Sequence, residues 1–194
     1  MKRVIKVMFL LALLAMTFSL AGCGDSGKPT LKVFNWFDYI DESVYKAFEK
    51  EYGIRVIYDT FTTNEDMYAK VVSGNADYDV LFPSDYMIKR LINEDRLAKL
   101  DFDNIPNYKY IDDRFKDLDF DPNNEYSVPY MWGTLGILYN KEMVDEPVTS
   151  WDILWDSKFS KNIFMYASQR DAIGVALKRL GFSLNSRNEA ELEK

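Results

Sequence analysis

The feature that most constrains the fold is an alternation of β-rich and helix-forming segments in the first half of the chain. Residues 31–36, 54–61 and 77–83 are rich in β-branched and aromatic residues, and the segments between them carry apolar residues at helical spacing. Strands that are joined through a helix pair in parallel, because the crossover returns the chain to the same end of the sheet. The sequence therefore predicts an α/β fold with a parallel sheet wrapped by helices.

The predicted helices have recognisable ends. Asp41 can cap a helix that stops at Gly53, where a glycine tolerates the left-handed conformation. Thr63 opens a second helix, and Ser84 can cap a third over residues 85–93. These capping signals set the expected ends of the helices that precede and follow the second and third strands.

The second half of the chain is less regular. Residues 101–124 mix acidic and aromatic side chains with two prolines, which predicts irregular structure with short helical turns. Residues 126–139 are apolar and interrupted by Pro and Gly, which favours a strand pair or a crossing between two lobes. The remaining predicted elements are a short helix over 149–155, a strand over 162–167, and a helix over 170–180 that ends at Gly181.

The beginning of the chain is typical of an export signal. Three cations lie within the first six residues, and residues 7–20 then carry no charge. This apolar run is shorter than the roughly 20 residues of a membrane-spanning helix, so residues 1–22 are predicted to be a signal peptide. The sole cysteine, Cys23, follows Ala and Gly as in a bacterial lipobox, which predicts a lipidated first residue and a polar tether over residues 23–30. The alternative is an ordinary signal peptide with an incidental cysteine.

Composition excludes several classes of function. The chain has a net charge of −7, which disfavours a nucleic-acid partner and suits a cationic ligand. It has no histidine and a single cysteine, so His-based catalysis, the usual zinc sites and an intramolecular disulfide are not expected. We expect no cofactor and no enzymatic activity, although a glycosidase built on two carboxylates stays open.

Candidate ligand-binding residues follow three predicted strands. Ligands bind beyond the carboxyl ends of parallel strands, which places residues 35–39, 83–86 and 167–171 at the expected position. Aromatic faces attract cations, by about 2 kcal/mol when desolvated, so the aromatic residues there could enclose an alkylammonium group. The candidates are Trp36, Tyr39, Tyr86 and, for a charge-assisted hydrogen bond, Asp171. The alternative is that these aromatic residues only anchor the core.

Ser84 favours an anionic ligand, in contrast to the cationic ligand that the aromatic residues favour. A serine followed by backbone amides at a helix N-terminus suits an anion, so a carboxylate or phosphonate ligand also stays open.

Six motifs in residues 31–194 resemble the polyamine-binding proteins of ABC importers, the spermidine/putrescine receptors of the periplasmic type. The motifs are Phe34-Asn35-Trp36-x-x-Tyr39, Asn64-Glu65-x-Met67-Tyr68-Ala69-Lys70, Tyr78-Asp79-Val80-x-x-Pro83-Ser84, Asp121-Pro122-Asn123-Asn124-x-Tyr126-Ser127-x-Pro129-Tyr130-x-Trp132-Gly133, Val148-Thr149-Ser150-Trp151-x-x-Leu154-Trp155 and Ala176-Leu177-Lys178-Arg179-Leu180-Gly181.

The resemblance implies a two-lobed, periplasmic-binding-protein-like fold of type II that closes over a linear polyamine and delivers it to a membrane permease. Residues 31–134 would form an incomplete first lobe and residues 135–194 the start of a second, because members of that family are much longer. The ligand-lining residues would be Trp36, Tyr39, Ser84, Tyr86, Ser168 and Asp171. The family can place acidic residues at the last two of these positions, and here only Asp171 carries the charge.

The N-terminal pattern predicts an exported protein that is lipid-anchored in the periplasm or on the outer face of the cytoplasmic membrane. The resemblance implies ABC permease subunits as partners, and we expect a monomer. Two further readings stay open. One is a binding protein of the same fold for a sugar, carboxylate or phosphonate, and the other is a truncated remnant without activity.

Overall fold

The computed structural model describes residues 27–74 and 76–194. Contacts divide it into two compact units, one ending at Met87 and the other beginning at Ile88. The predicted signal peptide and Cys23 lie outside the described residues. The predicted boundary between lobes, after residue 134, stays a prediction.

The first unit is a parallel sheet with a helix on each face. Its strands are β1 (Thr30–Trp36), β2 (Arg55–Phe61) and β3 (Val80–Leu81), in the order β2-β1-β3, and all pairs are parallel. Its helices are α1 (Glu42–Tyr52), α2 (Asn64–Val72) and the first turn of α3 (Asp85–Asn93). The prediction of a parallel α/β sheet is therefore confirmed, with a third strand of two residues instead of the seven expected.

Neighbouring residues of β2 show which helix covers which face. Tyr58 and Asp59 point to opposite faces because side chains alternate along a strand. Tyr45 of α1 stacks on Tyr58 at 5.2 Å between ring centroids, whereas Lys70 of α2 donates a hydrogen bond to Asp59. The two helices therefore cover opposite faces of the sheet.

The helix ends follow the local signals in the sequence. The Asp41 carboxylate accepts a hydrogen bond from the Ser43 amide, and Gly53 ends α1 with a φ of 69°. Thr63 caps α2 by accepting from the Asp66 amide. All three predictions are confirmed, because capping depends on residues within one turn.

The second unit contains α4 (Gln169–Arg179), α5 (Glu189–Leu192) and a series of short 3₁₀ helices. Four of these helices lie in the region predicted to be irregular, at Phe102–Asn104, Pro106–Tyr110, Asp113–Phe115 and Pro122–Asn124. Two more follow at Trp151–Trp155 and Ser157–Phe159, and the Ser150 side chain caps the first of them by accepting from the Asp152 amide.

Residues 126–139 and 162–167 contain neither a strand nor a helix. A strand exists only where a neighbouring backbone supplies hydrogen-bond partners, and the one sheet in the described part of the chain contains β1, β2 and β3 alone. The strand predicted over residues 162–167 is therefore wrong for the structure described, as is the strand-pair alternative for residues 126–139. The other alternative for residues 126–139, a crossing between two lobes, stays a prediction. None of the helices in residues 27–74 and 76–194 is long and apolar enough to cross a membrane.

Candidate ligand-binding site

The carboxyl end of β1 brings two predicted ligand residues together. The rings of Trp36 and Tyr39 are stacked, with centroids 5.8 Å apart and planes at 28°. Trp36 also packs against Phe61 of β2, at 4.7 Å, while Tyr39 stays 42% exposed. The pair is partly exposed and packs on Phe61, so it offers a flat apolar surface with electron-rich faces.

Asn35 supports this aromatic pair from inside the sheet. Its side chain is fully buried, and its Oδ1 accepts a hydrogen bond of 2.7 Å from the Trp36 amide. Its Nδ2 has no hydrogen-bond partner among the described residues. A polar residue between the apolar residues Phe34 and Trp36 is the sequence signal that could have identified Asn35, since buried polar groups require a specific role.

Ser84 lies where α3 begins and is held by the first residue of α2. The Asn64 Nδ2 donates to the Ser84 Oγ, and the Ser84 amide donates to the Asn64 Oδ1, each at 3.0 Å. Asn64 is buried, at 4% exposure. Ser84 is thus fixed at the predicted helix start, with its hydroxyl bonded to α2.

Tyr86 lies in the first turn of α3 and is held by the second residue of α2. Its hydroxyl donates a 3.0 Å hydrogen bond to the Glu65 Oε1. Consecutive residues of α2, Asn64 and Glu65, therefore hold Ser84 and Tyr86. Sequence reasoning missed both partners as site residues, although they open a motif that the chain shares with polyamine-binding proteins.

The N-terminus of α3 is occupied by groups of the chain itself. The Asp85 Oδ1 accepts from the Tyr86 amide at 2.6 Å, and the Ser84 amide is bonded to Asn64. A carboxylate at a helix N-terminus already compensates the positive end of the helix dipole. This arrangement disfavours a bound anion at Ser84.

A cluster of one carboxylate, one phenol and one ammonium group lies on the α2 face of the sheet. The Asp59 Oδ2 accepts from the Tyr78 hydroxyl at 2.5 Å and from the Lys70 ammonium at 3.1 Å. These two hydrogen bonds, the one from Tyr78 first, lower the pKa of Asp59, while burial raises the pKa of Tyr78. The Lys70 Nζ lies 4.7 Å from the ring centroid of Phe34 and 5.1 Å from that of Tyr78.

Ser168 and Asp171 belong to the second unit and meet at the start of α4. Ser168 is the N-cap of α4, and its Oγ accepts a hydrogen bond of 3.4 Å from the Asp171 amide. Both residues are partly buried. Ser168 thus has a capping role that explains its presence without a ligand.

The sequence profile of the bacterial extracellular solute-binding proteins matches residues 43–191. The chain belongs to this family. Solute-binding proteins of this kind are not a class of enzymes, and the family accounts for the α/β fold described above.

Three relatives of this solute-binding protein are informative. It is 34% identical to the spermidine/putrescine-binding periplasmic protein of Salmonella typhimurium, over 95% of this chain and 53% of the relative. A solved structure from Listeria monocytogenes, named provisionally as a spermidine/putrescine ABC transporter, is 46% identical with a TM-score of 0.81, and the match covers 86% of this chain and 52% of the other. The TpPotD lipoprotein of Treponema pallidum is 35% identical with a TM-score of 0.79, over 84% and 52% of the two chains.

These matches confirm the predicted family and fold class. The chain spans about half the length of the relatives it matches.

Proposed function

We propose that this solute-binding protein captures polyamines such as spermidine and putrescine outside the cytoplasm for an ABC importer. The observation that carries the proposal is the stacked Trp36–Tyr39 pair at the carboxyl end of β1. The names of the Salmonella and Listeria relatives support the same class of ligand. The pair can bind a cationic ligand without carrying a negative charge itself, because aromatic faces attract cations directly.

The first unit would bind the alkyl chain and one ammonium group of the ligand. Trp36 and Tyr39 would pack on the methylenes, and Ser84 and Tyr86 would contribute hydroxyl oxygens. The unit already holds one alkylammonium group in this way, since Lys70 lies beside the rings of Phe34 and Tyr78 and is bonded to a carboxylate. The same chemistry would serve an external amine.

Asp171 would supply the negative charge at one end of the ligand. Asp171 would accept a charge-assisted hydrogen bond from an ammonium group, and Ser168 would lie beside it. The ligand would then stabilise a closed state of the two predicted lobes, 31–134 and 135–194, by contacting both.

Export and anchoring are also part of the proposal. Residues 1–22 would be removed as a signal peptide, Cys23 would carry the lipid, and residues 23–30 would form the tether. The order of residues around Cys23 supports this, as does the likeness to a protein named as a lipoprotein. We propose a monomer that passes its ligand to the permease subunits.

Calorimetric titration with putrescine and spermidine tests the proposed function. We expect Asp171→Asn to weaken binding more than tenfold, because a partly buried charge-assisted hydrogen bond is lost. Asp119→Asn, an exposed position in the same unit, is the matched control and should leave the affinity unchanged. Equal affinities for all three proteins would remove Asp171 from the site.

A thermal-shift screen separates the proposal from the alternatives. Stabilisation by sugars, carboxylates or phosphonates but not by polyamines would indicate a binding protein of the same fold for another solute. Turnover of a chromogenic glycoside would indicate an enzyme. A folded chain that responds to no ligand would indicate a remnant without activity.

A further inference from the structure

Glu65 is hydrogen-bonded to Tyr86, one of the predicted ligand residues, and the proposed function gives Glu65 no role. It is the second residue of α2, is partly buried, and its Oε1 lies 3.0 Å from the Tyr86 hydroxyl. We infer that Glu65 determines which class of ligand the site binds. Because the Tyr86 hydroxyl donates its only proton to Glu65, the Tyr86 oxygen can only accept any further hydrogen bond. This inference rests on the proposed function.

The direction of the hydrogen bond follows from the two groups involved. A carboxylate has no proton to donate, and a phenol has one. Tyr86 must therefore be the donor in its contact with Glu65, which uses its only proton. Any further hydrogen bond at the Tyr86 oxygen has to come from a donor on the other side.

An acceptor-only oxygen discriminates between ligand classes. An alkylammonium group carries three N–H donors and no lone pair, so it complements such an oxygen fully. A carboxylate or phosphonate brings only lone pairs to this acceptor oxygen and is repelled. A neutral hydroxyl can still donate, but it carries no charge for the nearby Glu65 to attract.

Glu65 also supplies the charge that the other first-unit candidates lack. Trp36, Tyr39, Ser84 and Tyr86 are all neutral side chains. A carboxylate bonded to one of them gives this group of residues a negative charge. The hydrogen bond from the Tyr86 hydroxyl holds this carboxylate beside the first turn of α3.

The inference is tested with a double-mutant cycle of Glu65→Gln and Tyr86→Phe in the full chain. A glutamine can donate to the Tyr86 oxygen through its Nε2, so the phenol proton is no longer committed. We expect Glu65→Gln to weaken putrescine binding about tenfold in the wild-type background. When Tyr86 is already Phe the loss should be clearly smaller, because only the attraction of the Glu65 charge is then removed. Glu51→Gln, which removes an equal charge from the exposed last turn of α1, should change binding less than about twofold.

A second ligand separates a loss of selectivity from a general loss of binding. In 4-aminobutan-1-ol, one ammonium group of putrescine is replaced by a hydroxyl that can both donate and accept. Glu65→Gln should reduce the preference for putrescine over this analogue, because the released Tyr86 proton can now be donated to the hydroxyl. A substitution that merely disturbed the fold would weaken both ligands equally.

The outcomes distinguish this inference from the proposed function. Putrescine binding by the wild-type chain together with additive substitutions, or with an unchanged preference between the two ligands, overturns the role of Glu65 alone. Absence of diamine binding by the wild-type chain overturns both. Non-additive losses with a reduced preference for putrescine support both.

Discussion

Asn64 and Ser84 are joined by two hydrogen bonds of 3.0 Å each, although 20 residues separate them. One is the first residue of α2 and the other directly precedes α3. The pair therefore fixes the N-termini of two helices side by side at the carboxyl end of the sheet. Any ligand that contacts Ser84 or Tyr86 depends on this pair for the position of its partners.

Replacement of Asn64 by Ala should lower the free energy of unfolding by about 2 kcal/mol, because a buried side chain loses two hydrogen bonds and the Ser84 amide loses its acceptor. Urea unfolding measures the change. Asn107→Ala, at an exposed position, is the control and should stay within about 0.5 kcal/mol of wild type. Equal stability of Asn64→Ala and wild type would contradict the two hydrogen bonds.

The pH dependence of stability should reflect Asp59. Its pKa is lowered in the folded state, so the folded protein binds this proton less readily than the unfolded chain. Asp59 therefore stabilises the fold at neutral pH, and this contribution should fall as the pH drops below about 4, through the lowered pKa of the folded state.

Tyr78→Phe tests this origin, because it removes the hydrogen bond that contributes most to the lowered pKa of Asp59. The pKa of Asp59, followed by carboxyl-carbon NMR, should rise towards its ordinary value. Tyr110→Phe removes an exposed hydroxyl and should leave the titration of Asp59 unchanged. A Tyr78→Phe protein with an unaltered titration would show that Tyr78 does not hold the carboxylate.

The two roles considered for Ser168 can be separated by two substitutions. Ser168→Ala removes the cap of α4 and should cost about 1 kcal/mol in the free energy of unfolding. Ser168→Asp keeps a capping oxygen and should retain wild-type stability, while adding a carboxylate next to Asp171. If the proposed function holds, putrescine should then bind several-fold more tightly by calorimetry. An unchanged affinity would leave Ser168 with its capping role only.

The end of α3 offers a stabilising substitution. Asp95 adopts a φ of 52°, with its amide bonded to the Ile92 carbonyl and the Arg96 amide bonded to the Leu91 carbonyl. This is the left-handed position that normally carries glycine. Asp95→Gly should raise the free energy of unfolding by about 1 kcal/mol in urea titrations. Asn93→Gly, inside the same helix, should lower it, and a gain in both proteins would contradict the explanation.

The sequence predicts best what depends on neighbouring residues. Asp41 and Gly53 mark the ends of α1 because caps act within a single turn. Residues 162–167 have the sequence pattern of a strand, and residues 126–139 that of a strand pair or of a crossing between lobes. Strand formation needs a hydrogen-bonding partner that the residues of the segment itself do not encode.

The same limit applies to the candidate site. The aromatic pair Trp36 and Tyr39 is close in sequence, so its position at the end of β1 can be predicted. The contacts that Asn64 and Glu65 make to Ser84 and Tyr86 span about 20 residues and depend on how two helices pack beside one sheet. Such contacts follow from tertiary structure and carry no local sequence signal.

Lys70 gives the first unit a spectroscopic reporter of its own. Its ammonium nitrogen lies 4.7 Å from the centroid of Phe34, which is itself stacked on Tyr78 at 4.4 Å. The adjacent methylene protons experience the ring currents of both aromatic rings, so their resonances should move away from those of the other lysines. A single proton signal would then reveal whether β1, β2 and α2 are assembled, in a sample without any label or ligand.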